Sequence, residues 1–239
     1  MRRIHPPALA GVAAAVALLW NSWLLGLLGE HSDASGSWIS DLAARSQAGG
    51  WRFELLEVAS GLALAGFALL LLPRLGRHSP ALRRGVFALV LVGVLTAIGG
   101  AAPLNCAEAL DPRCTVDYDA LDLVHTCANV IEIAVGASAF ALLGVGLTRA
   151  WPRRNAGRTT LAIGALWLLL SAVTAVSYFS GEIDSVKGLC QRAVELLLGG
   201  WLILLGVWAG APARATAVAG VAETETDADA DADADAASG

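Results

Sequence analysis

Residues 121–147 read LDLVHTCANVIEIAVGASAFALLGVGL. The run exceeds the roughly 20 residues that carry an α-helix across a bilayer, yet Asp122, His125, Asn129 and Glu132 interrupt it. Their spacings of three, four and three positions place them within an arc of roughly 80° on a helix turning about 100° per residue. The segment therefore reads as a membrane-spanning helix with one polar stripe. Glu132 lies roughly 16 Å along the axis from Leu121, near the depth of the bilayer centre.

Five more apolar runs flank it: about Ala8 to Leu28, Glu54 to Leu72, Gly85 to Ala102, Thr160 to Phe179 and Leu189 to Gly210. The intervening segments, such as HSDASGS, PRLGRHSPALRR and SGEIDSVKG, hold the turn formers and most of the charge. Only 15% of the 239 residues are charged and 56% are hydrophobic, against roughly 25% charged in soluble domains. The expected fold is all-α, a polytopic six-transmembrane-helix bundle with short loops over residues 1–210. Residues 211–239 are expected to form an acidic low-complexity cytoplasmic tail, because ETETDADADADAD at 223–235 has too little apolar surface to fold. The same composition suits an acidic docking peptide.

Arginine placement sets the orientation, since positive loops stay in the cytoplasm. Eleven of the sixteen basic residues, including Arg74, Arg77, Arg83, Arg84, Arg153, Arg154 and Arg158, fall on one side, and the two loops on that side contain no acid. Both termini are thus expected in the cytoplasm of a multi-pass plasma-membrane protein. A signal-peptide reading of the Met-Arg-Arg start meets a long apolar run containing Trp20, Asn21 and Trp23, with no cleavage site directly after it.

Cys106 and Cys114 sit in the third loop, which the charge rule places outside, where thiols can oxidise. A bridge between them is expected; two free thiols or a metal site are the alternatives, and no Cys-x-x-Cys or His pair supports a metal. Cys127 and Cys190 read as buried small residues or as a second bridge.

Ionisable side chains inside spans mark an interior or a water-filled cavity. Besides the stripe, Glu54 and Glu57 open the second span, and Gln191, Arg192 and Glu195 open the sixth. An outward-opening pocket is expected, with Glu132 at its floor and His125, Glu57 and Glu195 on its walls as candidate acid–base groups. Asp41, Asp119 and Asp122 would stand near its rim, with Asn129, Gln191 and Arg192 among the lining. Alternatively, Arg192 pairs with these acids and Asn129 bridges helices, so that the polar residues only pin the bundle. Ser37 to Asp41 read as a short interfacial helix capped by a Ser, with Trp38 and Trp51 in the aromatic belt. The chain carries no Gly-x-Ser-x-Gly, phosphate loop, dinucleotide fingerprint or nucleic-acid patch. No cofactor, metal or nucleic acid is therefore expected; the partners expected are the lipid bilayer and a lipid or other small hydrophobic ligand.

The string PLNCAEALDPRCTVDYDALDLVHTCAN at 103–129, with WISDLAA at 38–44 and GLCQR at 188–192, resembles the signature of the integral membrane family filed as domain of unknown function number 998. That resemblance covers about residues 10 to 210 and implies six spans, a paired Cys106 and Cys114, and a bacterial membrane, with no established activity. Members often carry further His near the fourth span, whereas this chain has His125 alone there. Three functions fit the pocket: a membrane-embedded enzyme acting on a lipid or isoprenoid, a small proton-coupled transporter, or a non-catalytic scaffold or accessory subunit. The enzyme is the first expectation. The spans show no clear inverted repeat.

Overall fold

The structure is a computed structural model and describes residues 6–27, 37–107, 110–111, 113–114, 119–149, 154–180 and 184–211. The acidic tail lies outside these residues. Helix α1 spans Pro6–Trp20, followed by a short α2, Leu24–Leu27; α3 is Gly50–Leu71, α4 Pro80–Gly100, α5 Ala120–Arg149, α6 Arg154–Ser180 and α7 Asp184–Gly210. The described residues contain no strand, as the absence of any period-two apolar pattern requires.

The helices close into a ring. Each of α3, α4, α5, α6 and α7 packs on the next, and α1 completes the circle by packing on both α7 and α3. Among the described residues, five helices are long and apolar enough to cross a membrane, and α1 is the sixth, shorter apolar helix. Their outer faces are apolar too: Leu62, Leu123, Val130, Leu169 and Val176 are each about 60% exposed. In water such a surface would be unfavourable; against lipid tails it is the expected one. Phe67, Leu71, Leu89, Leu143, Trp201 and Leu202 fill the interior, each essentially inaccessible. Phe140 packs in tilted geometry against both Trp167 and Trp201, with ring centroids 5.6 and 4.4 Å away. Close backbone approach tightens one side of the ring. A Cβ on Gly61 would lie 2.5 Å from the Gly93 carbonyl, so α3 and α4 touch at a contact only glycine permits.

The expected first span is interrupted. Helix α1 ends at Trp20, and the Asn21 side chain donates to the Ala17 carbonyl at 2.9 Å. Backbone bonds then shorten to i→i+3 through Ser22, Leu24, Leu25 and Gly26. An Asn amide that bonds the preceding helical turn offers the backbone an alternative to continuing as an α-helix. At the other end of the bundle, α3 continues as a wide π-turn over Leu72–Gly76, where Pro73 lacks the N–H an α-helical turn needs. Ser79 starts α4 by accepting the Leu82 N–H at 3.1 Å, with Pro80 behind it.

Asp119 and Asp122 start α5 as a reciprocal capping pair. Asp119 Oδ1 accepts the N–H groups of Leu121 and Asp122, at 2.8 and 3.0 Å, while Asp122 Oδ2 accepts the Asp119 N–H at 2.9 Å. Such a pair satisfies orphan donors of a first turn from both directions. This is why the helix begins at Ala120, immediately after the loop.

Candidate functional site

A cavity of about 80 Å³ lies at the end of the bundle where α1 breaks off and α3, α5 and α7 begin. Three helices each send one carboxylate into it: Glu57 from α3, Glu132 from α5 and Glu195 from α7. On α3, Phe53, Glu57 and Ser60 share a face at helical spacing, and on α7 Gln191 and Glu195 do the same. The polar stripe of α5 enters through His125, Asn129 and Glu132.

Each acid has a different setting. Glu132 Oε2 accepts from the Thr96 hydroxyl of α4 at 3.0 Å, and that hydroxyl also lies 2.9 Å from the Val92 carbonyl. Glu195 accepts the indole N–H of Trp20. Glu57 lies against the end of α4, where a Cβ on Gly100 would come within 3.0 Å of its Cβ and Cγ. His125 is buried with Nδ1 3.0 Å from the Gly99 carbonyl. Because a carbonyl only accepts, Nδ1 carries the proton. That bond ties α5 to α4 and leaves Nε2 as the ring's other polar atom. Asn129 lines the cavity and donates to the His125 carbonyl at 3.0 Å, a bond within its own helix rather than the bridge between helices of the alternative reading.

Several expected lining residues do other work. Arg192 does not pair with the cavity acids: it lies about 100° around the helix from Gln191, donates to the Ser37 carbonyl at 2.8 Å and stacks on Trp23 at 5.5 Å, with Asp41 as its acidic neighbour. Asp41 is buried and accepts the Trp38 N–H at 3.1 Å, which organises the loop rather than a cavity rim. The expected Ser-capped interfacial helix is instead a 3₁₀ turn, Ser40–Ala43, preceded by Ile39 without a side-chain cap. Asp122 is likewise buried, and its Oδ1 accepts the Asn105 N–H at 2.7 Å. Both aspartates stand where loop backbone N–H groups lack partners, so capping claims them.

The loop thus held covers the cavity. Ile39, Ser40 and Ala43 line it from above, and the Ile39 N–H donates to Gln191 Oε1 at 2.8 Å. The same loop is joined to the α4–α5 connection by Arg45 N–H to the Leu104 carbonyl at 2.9 Å, by Ala107 N–H to Ser46 Oγ at 3.1 Å, and by an Arg45–Asp119 ion pair. The Arg45 guanidinium, with the Asp122 and Leu121 N–H groups, holds the Asp119 carboxyl down at about 2. Cys106 and Cys114 are bridged in that connection, with 5.7 Å between their Cα atoms. Cys127 and Cys190 are free, and Cys127 is exposed on the outer face of α5 rather than buried.

A family model described as protein of unknown function (DUF998) matches residues 9–208. The chain belongs to that family. No curated protein and no solved structure matches it significantly. The DUF998 match takes in all six apolar helices except the first three residues of α1 and the last two of α7, together with the disulfide and every residue lining the cavity. Thr96, Trp20, Trp23, Phe53 and Ser60 line the cavity without having been anticipated. The polar residues among them carry no charge to draw attention, although Phe53 and Ser60 repeat the face of Glu57 at helical spacing.

Proposed function

We propose that this integral membrane protein is a small proton-coupled transporter, with the acidic cavity as its substrate site in an outward-facing state. The observation that carries this reading is the convergence of Glu57, Glu132 and Glu195 in one cavity whose described lining includes no Lys or Arg. Three carboxylates sharing a small space inside an apolar bundle repel one another when charged, so such a site takes up positive charge, as protons or as a cation. Acid residues at this depth are the usual proton carriers of membrane transport.

The expected enzyme on a lipid or isoprenoid draws on the same residues, with His125 and Glu132 as acid and base. The cavity supports it less well. Its volume admits roughly five to eight waters, and its described lining offers no Lys or Arg to hold a phosphate headgroup. The basic loops at the far end and the disulfide beside the cavity support cytoplasmic termini, with the cavity facing outward.

The test is proton movement in vesicles. Full-length protein is reconstituted with an internal pH dye, and a pH difference is imposed in the presence of small cationic, neutral and anionic solutes. The wild type should dissipate the difference faster with one solute class than without it. Glu132→Gln should fall to the rate of protein-free vesicles while melting within a few degrees of the wild type. Equal rates for both proteins with every class would overturn the proposal.

A further inference from the structure

We infer that the solute accepted by this cavity is a small organic ammonium ion, an inference that rests on the transport reading above. Four features of the cavity point to that chemistry. The first is charge. The lining carries Glu57, Glu132 and Glu195, and Arg192, the basic side chain closest in sequence, is committed to the Ser37 carbonyl and the face of Trp23. An anion would meet three carboxylates and no Lys or Arg in the described lining; a cation meets complementary charge.

The second is the wall. Trp20, Trp23 and Phe53 line the same space as the three acids, and aromatic faces attract organic cations through the ring quadrupole. Trp23 already holds one cation, the Arg192 guanidinium, in this way. A purely proton-conducting site needs carboxylates and water but no aromatic wall.

The third is the room at Glu57. No hydrogen-bond donor among the described residues reaches its carboxylate, in contrast to Glu132 and Glu195. A Cβ placed on Gly99 would sit 3.8 Å from Glu57 Oε1 and 3.9 Å from Asn129 Nδ2. The missing methyl of Gly99 therefore leaves space between the carboxylate without a donor and the amide across from it.

The fourth is the spread of the acids. Among the described residues, no group of three or more His, Cys, Asp or Glu converges closely enough to hold a metal ion. Acids that line one cavity without meeting at one point suit an ion several atoms across. A cavity of about 80 Å³ gives five heavy atoms the place of roughly as many waters.

The experiment uses the full-length protein in nanodiscs and four probes: tetramethylammonium, its neutral isostere tert-butanol, acetate and potassium. Calorimetry and tryptophan fluorescence should both give saturable binding of tetramethylammonium, at least tenfold tighter than tert-butanol or potassium, with none for acetate. Glu57→Gln should weaken it at least tenfold. Gly99→Val, which puts an apolar branch between Glu57 and Asn129, should do the same. Gly99→Ala serves if the valine variant does not fold, since its methyl makes only ordinary contacts and should give a smaller loss. Equal binding of tert-butanol, equal binding of potassium, or full binding by Glu57→Gln would each overturn the inference. Proton flux that responds to other solutes, without tetramethylammonium binding, would sink the ammonium assignment and leave the transporter. Tetramethylammonium binding without proton flux would keep the site and sink the transporter.

Discussion

The indole N–H of Trp20, at the end of α1, donates to the carboxylate of Glu195, in the second half-turn after Arg192 on α7. The broken first span is thereby connected to the acidic cavity. Helix α1 stops at Trp20 because Asn21 turns back to the Ala17 carbonyl, and the stop leaves Trp20 and Trp23 as cavity wall. In an uninterrupted helix Trp23 would still lie within about 60° of Trp20; what the break adds is the turn over Asn21–Trp23.

Trp20→Phe keeps most of the ring and removes the donor. The variant should lose about 1.5–3 kcal/mol, the usual worth of a hydrogen bond to a charged group, and its solute-dependent proton flux should fall several-fold. Trp23→Phe, which breaks only a bond to Asn21 at 3.2 Å, should change flux less. Thermal unfolding together with the vesicle assay separates the two; equal flux losses would show that ring bulk, not the Glu195 bond, matters.

Thr96 is the hydroxyl that meets Glu132 from α4. Thr96→Val is nearly isosteric and leaves the carboxylate without that donor, whereas Thr96→Ser retains it. Proton flux should drop at least fivefold in the valine variant and stay within twofold of wild type in the serine variant. Comparable activity in all three proteins would remove Thr96 from the site.

The Cys106–Cys114 bridge closes a short loop, its cysteines eight positions apart. Loop-closure entropy assigns such a bridge about 2–3 kcal/mol. Reductant, or the double Cys→Ser change, should therefore lower the melting temperature and increase amide exchange at Arg45 and Ala107, whose N–H groups join the two loops. A non-reduced digest in which both thiols alkylate would contradict the bridge itself.

The Arg45–Asp119 pair sets a pH window. Asp119 is held down at about 2, first by the Arg45 hydrogen bond, so its folded value lies below that of the unfolded chain. A depressed carboxyl contributes its stabilisation above the unfolded value and loses it as pH falls through the folded one. Exchange protection of the joined loops should therefore hold from neutral pH to about 4 and decline between about 4 and 2. Arg45→Gln should move that decline to higher pH. A profile unchanged by Arg45→Gln would mean that the α5 cap alone holds Asp119.

The number of apolar helices and the bridge between Cys106 and Cys114 follow from the sequence, because each depends on local quantities: run length against bilayer thickness, and two cysteines close in one loop. The inward face of α5 was also legible, since Asp122, His125, Asn129 and Glu132 recur at helical spacing and an acid on the lipid side is costly. What each polar residue does was not. Whether Asp122 caps a helix or lines a cavity depends on where the Asn105 N–H arrives, and Arg192 turns to Ser37 rather than to Glu195 because the loop brings a carbonyl to it. The partners of Glu132 and Glu195, Thr96 and Trp20, lie 36 and 175 positions away. Spacing along one helix determines which residues share a face; only the closure of the ring, α1 onto α7 and α3, decides which faces meet.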